Sequence, residues 1–126
     1  MLNTTRFLLT EKEAGVAAED APSMVRIRQK FSRPVEEDIE GAVRREIAPF
    51  LAKVTPGQRI AVTGSSRGIS NYLRVIKESV AALKEAGAEP FVFPGMGSHG
   101  GATVEGQVDV LANTHGITEE SVGCPI

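Results

Sequence analysis

Apolar and basic positions alternate from Ser23 to Phe31, with Val25, Ile27 and Phe31 on one side and Arg26, Arg28 and Lys30 on the other. A period of two predicts a half-buried strand whose polar face meets water or another domain. The period then changes. Pro34 opens a segment in which Val35, Ile39, Val43, Ile47 and Leu51 recur every four residues, the spacing of one helix face. Glu36, Glu37, Asp38 and Glu40 precede Arg44 and Arg45, an order that matches the helix dipole. Pro49 is expected to end or kink that helix, and Thr55-Pro56-Gly57 to turn the chain into the next element.

Arg59 to Thr63 is a short apolar run that stops at Gly64, and Ser70 or Asn71 is placed to cap a helix carrying Leu73, Ile76, Val80 and Leu83. Gly87 closes it. Pro90 to Pro94 then predicts a second buried strand, which runs into Gly95-Met96-Gly97-Ser98-His99-Gly100-Gly101. Thr103 caps a third expected helix with Val104, Val108 and Leu111, Gly116 ends it, and Thr118 starts a last short turn. Strand, helix and strand in this order make a βαβ unit, with parallel neighbours and a right-handed crossover. The expected fold is therefore α/β, a Rossmann-like open and mostly parallel sheet with flanking helices. Residues 1–22 are read as an N-terminal segment and residues 23–126 as the α/β domain. Ligands of such sheets bind outside the carboxyl ends of the strands, which nominates 64–68 and 95–103 as one shared site.

Composition removes several alternatives. A formal net charge of -2, with Arg and Lys interspersed among the acids, argues against a nucleic-acid partner. No apolar run is long enough to cross a bilayer, and the first ten residues lack an extended signal-peptide core, so a cytoplasmic location is expected. Cys124 is the single cysteine, which excludes an intrachain disulfide and any multi-thiolate zinc site.

The two loops carry the candidate chemistry. Thr63-Gly64-Ser65-Ser66-Arg67-Gly68 sets two hydroxyls and a guanidinium among glycines, a set suited to gripping a phosphate or carboxylate. In the second loop four glycines surround one imidazole, His99, a group that titrates near ~6.5 in water and suits proton transfer at neutral pH. His115 falls in the last helical turn before Gly116 and is read as structural.

Val62 to Ile69 looks like the nucleotide-binding start of short-chain dehydrogenases. The likeness fails at Ser70, where the dinucleotide fingerprint wants its third glycine, and no ribose-reading residue follows Phe91-Val92-Phe93. From about Met24 onward the chain more closely resembles the N-terminal domain of the nickel-dependent lactate racemase family, in its broad lactate-racemase-like branch. The residues carrying this are Gly64-Ser65-Ser66-Arg67, then Gly97-Ser98-His99-Gly100-Gly101-Ala102-Thr103, Glu105, Gln107 and Gly116-Ile117-Thr118-Glu119-Glu120.

The resemblance implies an isomerase that acts on a 2-hydroxy acid by hydride and proton transfer with a nickel-pincer nucleotide. By resemblance His99 exchanges a proton with the substrate hydroxyl, and Arg67 holds anionic ligand groups. Ser65, Ser66, Ser98, Gly100, Gly101 and Thr103 join it as substrate- or cofactor-binding positions. The first loop lacks the aspartate and proline that flank the arginine in true lactate racemases, which argues against lactate itself as substrate.

The resemblance also implies that a second catalytic histidine, a cofactor-tethering lysine and a nickel-binding histidine lie beyond Ile126. The chain is then expected to be a fragment, a truncated reading frame or one part of a split enzyme, without turnover, cofactor or metal of its own and prone to self-association. Two readings compete with the isomerase part: a small-anion binding module, and a short-chain-dehydrogenase-like nucleotide-binding domain.

Overall fold

The computed structural model describes residues 27–32 and 34–126, and residues 35–126 form one compact unit. Of the alternating segment expected as a strand, residues 23–26 lie outside the described residues, as does the expected N-terminal segment 1–22. Residues 27–32 form no strand, and Ile27 and Phe31 are 79% and 74% exposed. Alternation specifies a strand only where a neighbouring strand supplies hydrogen bonds, and these residues have none among the described ones.

Helix α1 spans Ile39–Leu51. It begins later than Pro34 because Asp38 caps it, the carboxylate accepting from the Gly41 N–H at 2.9 Å. Val35 therefore lies outside the helix, 82% exposed. Pro49 sits inside the helix, which runs on to Leu51, since a proline in the last turn removes only one hydrogen bond.

Strand β1 (Arg59–Gly64) and strand β2 (Glu89–Pro94) pair in parallel, Val62 opposite Val92 and Gly64 opposite Pro94. Helix α2 (Tyr72–Glu85) connects them and buries Tyr72, Ile76, Val80 and Leu83, one face at helical spacing. Full burial of each aliphatic member stabilises by about 1.5–3 kcal/mol. Asn71 precedes α2 in the left-handed region at φ 57° and makes no side-chain cap bond, so neither Ser70 nor Asn71 caps the helix. Gly87, at φ 86°, closes it as expected.

The expected open sheet is thus a two-stranded parallel one among the described residues, within a mixed α/β arrangement. One sheet face, with Val62 and Val92, packs on the core of Ile76, Val80, Leu111 and Ile117. The opposite face carries Ala61, Phe91 and Phe93, with Arg59 over the Phe91 ring at 4.9 Å, and Phe93 is 40% exposed. The backbone N–H of Val92 donates to Pro125 C=O at 2.8 Å, which ties residues near Ile126 to β2.

Beyond β2 the chain makes a 3-10 turn, His99–Ala102, then helix α3 (Val104–Asp109), which continues as a π turn over Val110–Thr114. Thr103 caps α3 as expected, accepting from the Gly106 N–H at 3.1 Å. Val104 faces solvent, 72% exposed, whereas Leu111 is fully buried. Helix α4 (Glu119–Val122) starts on a reciprocal capping box between Thr118 and Ser121. Two sets of ion pairs hold α1 on α2: Arg44 with Glu78 and Glu85, and Arg74 with Glu40. The paired arginines hold the Glu40 and Glu85 carboxyls below the usual range. Among the described residues, no helix is long and apolar enough to cross a membrane.

Candidate functional site

Both glycine-rich loops leave the carboxyl ends of the paired strands. They stay together from the first step, because the Gly95 N–H donates to Gly64 C=O at 2.8 Å and extends the ladder into the loops. Opposite the strands' ends, His99 Nδ1 is hydrogen-bonded to Ser66 Oγ. The structure therefore brings the imidazole of one loop onto a hydroxyl of the other.

The first loop is braced from below. Tyr72 occupies the first residue of α2, and helical side chains lean toward the N-terminus, so its ring reaches back under the loop. Its hydroxyl accepts the Ser65 N–H at 2.6 Å and donates to Thr63 C=O at 3.3 Å. Ser65 Oγ in turn accepts the Arg67 N–H at 3.2 Å, a serine turn that fixes the backbone on both sides of Ser66. The Arg67 side chain is exposed and makes no ion pair among the described residues. A guanidinium on a braced turn, free of internal carboxylates, is available to an outside anion.

The second loop is held by backbone contact. Gly100 lies at φ +60°, and a Cβ there would come 2.4 Å from the Gly106 carbonyl carbon at the start of α3. Glycine is required at Gly100 for close approach as well as for conformation. Gly101 and Ala102 share the left-handed region with Gly100. Gln107 Nε2 donates to Gly97 C=O at 2.6 Å, and Thr103 Oγ1 donates to Gly100 C=O at 3.2 Å. The His99 N–H donates to the carbonyl of buried Met96 at 3.3 Å. Ser98 is exposed and makes no cap bond to the 3-10 turn.

The sequence-predicted positions thus separate into groups. Ser66 and His99 touch each other, and Ser65 and Thr103 are engaged in their own turns. Arg67 and Ser98 are exposed at the rim, while Gly100 and Gly101 shape the backbone. Tyr72 and Gln107 hold the loops, roles that composition and loop motifs do not reveal. For Tyr72 a signal existed: the chain's single tyrosine stands at a helix start, seven residues after Ser65. His115 packs edge-on against Tyr72 at 5.2 Å between centroids, and its Nε2 is buried without a partner among the described residues. Its role is contact with the brace.

Among the described residues, no three His, Cys, Asp or Glu side chains are grouped to hold a metal ion. Comparison with family models, with curated proteins and with solved structures finds no match to this chain.

Proposed function

We propose that this chain is the N-terminal α/β part of a lactate-racemase-like isomerase, with a Rossmann-like sheet, that binds a 2-hydroxy acid between its two loops. The observation that carries the reading is the meeting of His99 with Ser66 beside Arg67, which has no ion-pair partner among the described residues, at the carboxyl ends of parallel strands. In this reading Arg67 pairs with the substrate carboxylate, and the His99 imidazole exchanges a proton with the α-hydroxyl.

The nickel-pincer nucleotide fits this site in part. The exposed Arg67 guanidinium and Ser98 hydroxyl suit its anionic groups. The metal's ligands are expected from elsewhere, since the described residues group no such set. The chemistry such a nucleotide supplies when bound is reversible hydride transfer at the α-carbon. The chain's own residues bind, orient and move the proton.

The test is an NMR titration of the chain with lactate, glycolate and NADP. The hydroxy acids are expected to bind weakly and to shift Arg67 and His99 signals together. Arg67→Ala is expected to weaken this about tenfold or more, the worth of a charge-assisted pair, and His99→Ala to spare it. Micromolar NADP binding would overturn the reading in favour of the dehydrogenase-like one, and hydroxy-acid binding indifferent to Arg67→Ala would remove the anion site.

A further inference from the structure

We propose that Ser66 is a positioning residue whose hydroxyl fixes the His99 imidazole as its Nδ1–H tautomer and leaves Nε2 as the proton-exchanging nitrogen. This rests on the acid–base role given to His99 above, and it assigns Ser66 to the imidazole rather than to the anion.

The geometry carries the argument. His99 is exposed on a loop flanked by glycines, and its ring makes one hydrogen bond among the described residues, Nδ1 to Ser66 Oγ. Without that bond two side-chain rotors of His99 are unrestrained. Ser66, by contrast, is half-buried between two residues whose backbone N–H groups are engaged, Ser65 on the Tyr72 hydroxyl and Arg67 on Ser65 Oγ. The braced loop thus holds the exposed ring.

The tautomer follows from what the imidazole has to do. A serine hydroxyl can accept from Nδ1–H or donate to a bare Nδ1, so the bond alone does not choose the tautomer, and the choice follows from proton exchange at Nε2. To accept a proton at Nε2 the neutral ring must carry its hydrogen on Nδ1, donating to Ser66 Oγ. After the transfer the imidazolium still donates from Nδ1 to the same oxygen. One acceptor therefore serves both halves of a reversible exchange, with no rearrangement between them. Free histidine in water prefers the opposite tautomer, so this is a change that Ser66 has to impose.

A nucleophilic role for Ser66 fits less well, although Gly64-Ser65-Ser66-Arg67-Gly68 has the glycine–x–serine–x–glycine spacing of a hydrolase elbow. Such an elbow strains its serine to positive φ, whereas the non-glycine residues with positive φ here are Asn71 and Ala102. No carboxylate among the described residues is hydrogen-bonded to His99 to complete a triad.

The experiment is long-range proton–nitrogen correlation NMR of the His99 ring in alkaline buffer, in the wild-type chain, Ser66→Ala and Ser66→Thr. The wild type is expected to show a protonated Nδ1 and a bare Nε2. Ser66→Ala should shift the tautomer ratio about two- to tenfold toward Nε2–H, the worth of one net hydrogen bond, and Ser66→Thr should restore it. Backbone amide spectra of both variants confirm the fold. A wild-type ring protonated on Nε2, or a ratio unmoved by Ser66→Ala in a folded chain, would overturn the proposal. Because the readout needs no ligand, failure of lactate or glycolate to bind would strike the isomerase reading and leave the Ser66–His99 tautomer measured.

Discussion

Tyr72→Phe isolates the brace under the first loop. Tyr72 is 8% exposed, and phenylalanine keeps the buried ring and its edge-on contact with His115 while deleting the hydroxyl alone. Two hydrogen bonds disappear, the short one from the Ser65 N–H at 2.6 Å and a longer one to Thr63 C=O at 3.3 Å. A neutral hydrogen bond contributes about 0.5–1.5 kcal/mol net, and the long one stands at the low end of that range. Ser65 is half-buried, so water replaces part of the loss and the full cost of an orphaned amide does not apply. The expected destabilisation is about 1–2 kcal/mol, or roughly 4–8 °C in melting temperature for a chain of this size. Hydrogen exchange should localise it: Ser65 amide protection falls about tenfold, while that of Val92 in the core follows only the global change. Hydroxy-acid affinity should fall a few-fold, because Arg67 stands on the same turn. Unchanged stability with unchanged Ser65 protection would show that the hydroxyl holds nothing, and a loss beyond about 4 kcal/mol would show that the ring's packing depends on it.

Gly100→Ala should destabilise by about 2–4 kcal/mol in denaturant melts, from left-handed strain plus collision with the Gly106 backbone, whereas Gly68→Ala meets open space and should stay within about 0.5 kcal/mol; equal effects would refute the close approach. Glu40 and Glu85 have folded pKa values below the usual 4.5, so the stability they contribute is complete above that value and is lost as pH falls through the lowered ones. Melting temperature should therefore drop in acid below about pH 4.5, and Arg44→Met should flatten that drop. Burial raises the Cys124 thiol pKa above its ordinary 9.0, so a thiol reagent at neutral pH should label it at least about a hundredfold more slowly than the denatured chain. The open sheet face with Phe91 and Phe93 should give concentration-dependent elution in size-exclusion chromatography, and a concentration-independent monomer would count against self-association.

The parallel strands were legible because Arg59 to Thr63 and Pro90 to Pro94 are short apolar runs bounded by glycine, and the intervening helix is long enough for one crossover. Helix ends were legible where a side chain does the capping, at Thr103 and Thr118, or where glycine turns left-handed, at Gly87 and Gly116. Periodicity misled where apolar spacing ran past a cap. Val35 continues the stripe of α1, yet Asp38 starts the helix after it. Val104 has the spacing of a core residue but is the first residue of α3, next to its cap, and is 72% exposed. Alternation from Ser23 to Phe31 carried no information about a partner strand. In the site, motif reading found both loops and their charged groups, since unusual glycine density marks the backbone. It did not show what Tyr72 and Gln107 hold, because a hydrogen-bond partner is not written in a motif, and it could not find the Ser66–His99 bond, which joins loops 33 residues apart.

The two loops are held by different physics, and this divides the work between them. The first is tied by side-chain hydrogen bonds to α2, through Tyr72 to a ring packed in the core, so the charge of Arg67 is presented from a turn anchored to the most buried helix. The second lies backbone against backbone on α3, with Gly100 against Gly106, and its one aromatic side chain projects beyond that support. Left alone, His99 would sample its rotamers over an exposed glycine loop. Its bond to Ser66 moves the control of the imidazole to the anchored loop, so that the Arg67 charge and the ring are referenced to the same turn. In the proposed reading, an anion on Arg67 and a proton at Nε2 belong to one ligand only if that turn keeps its shape. Removing the Tyr72 hydroxyl should accordingly disturb both functions together, whereas Ser66→Ala should disturb the imidazole alone.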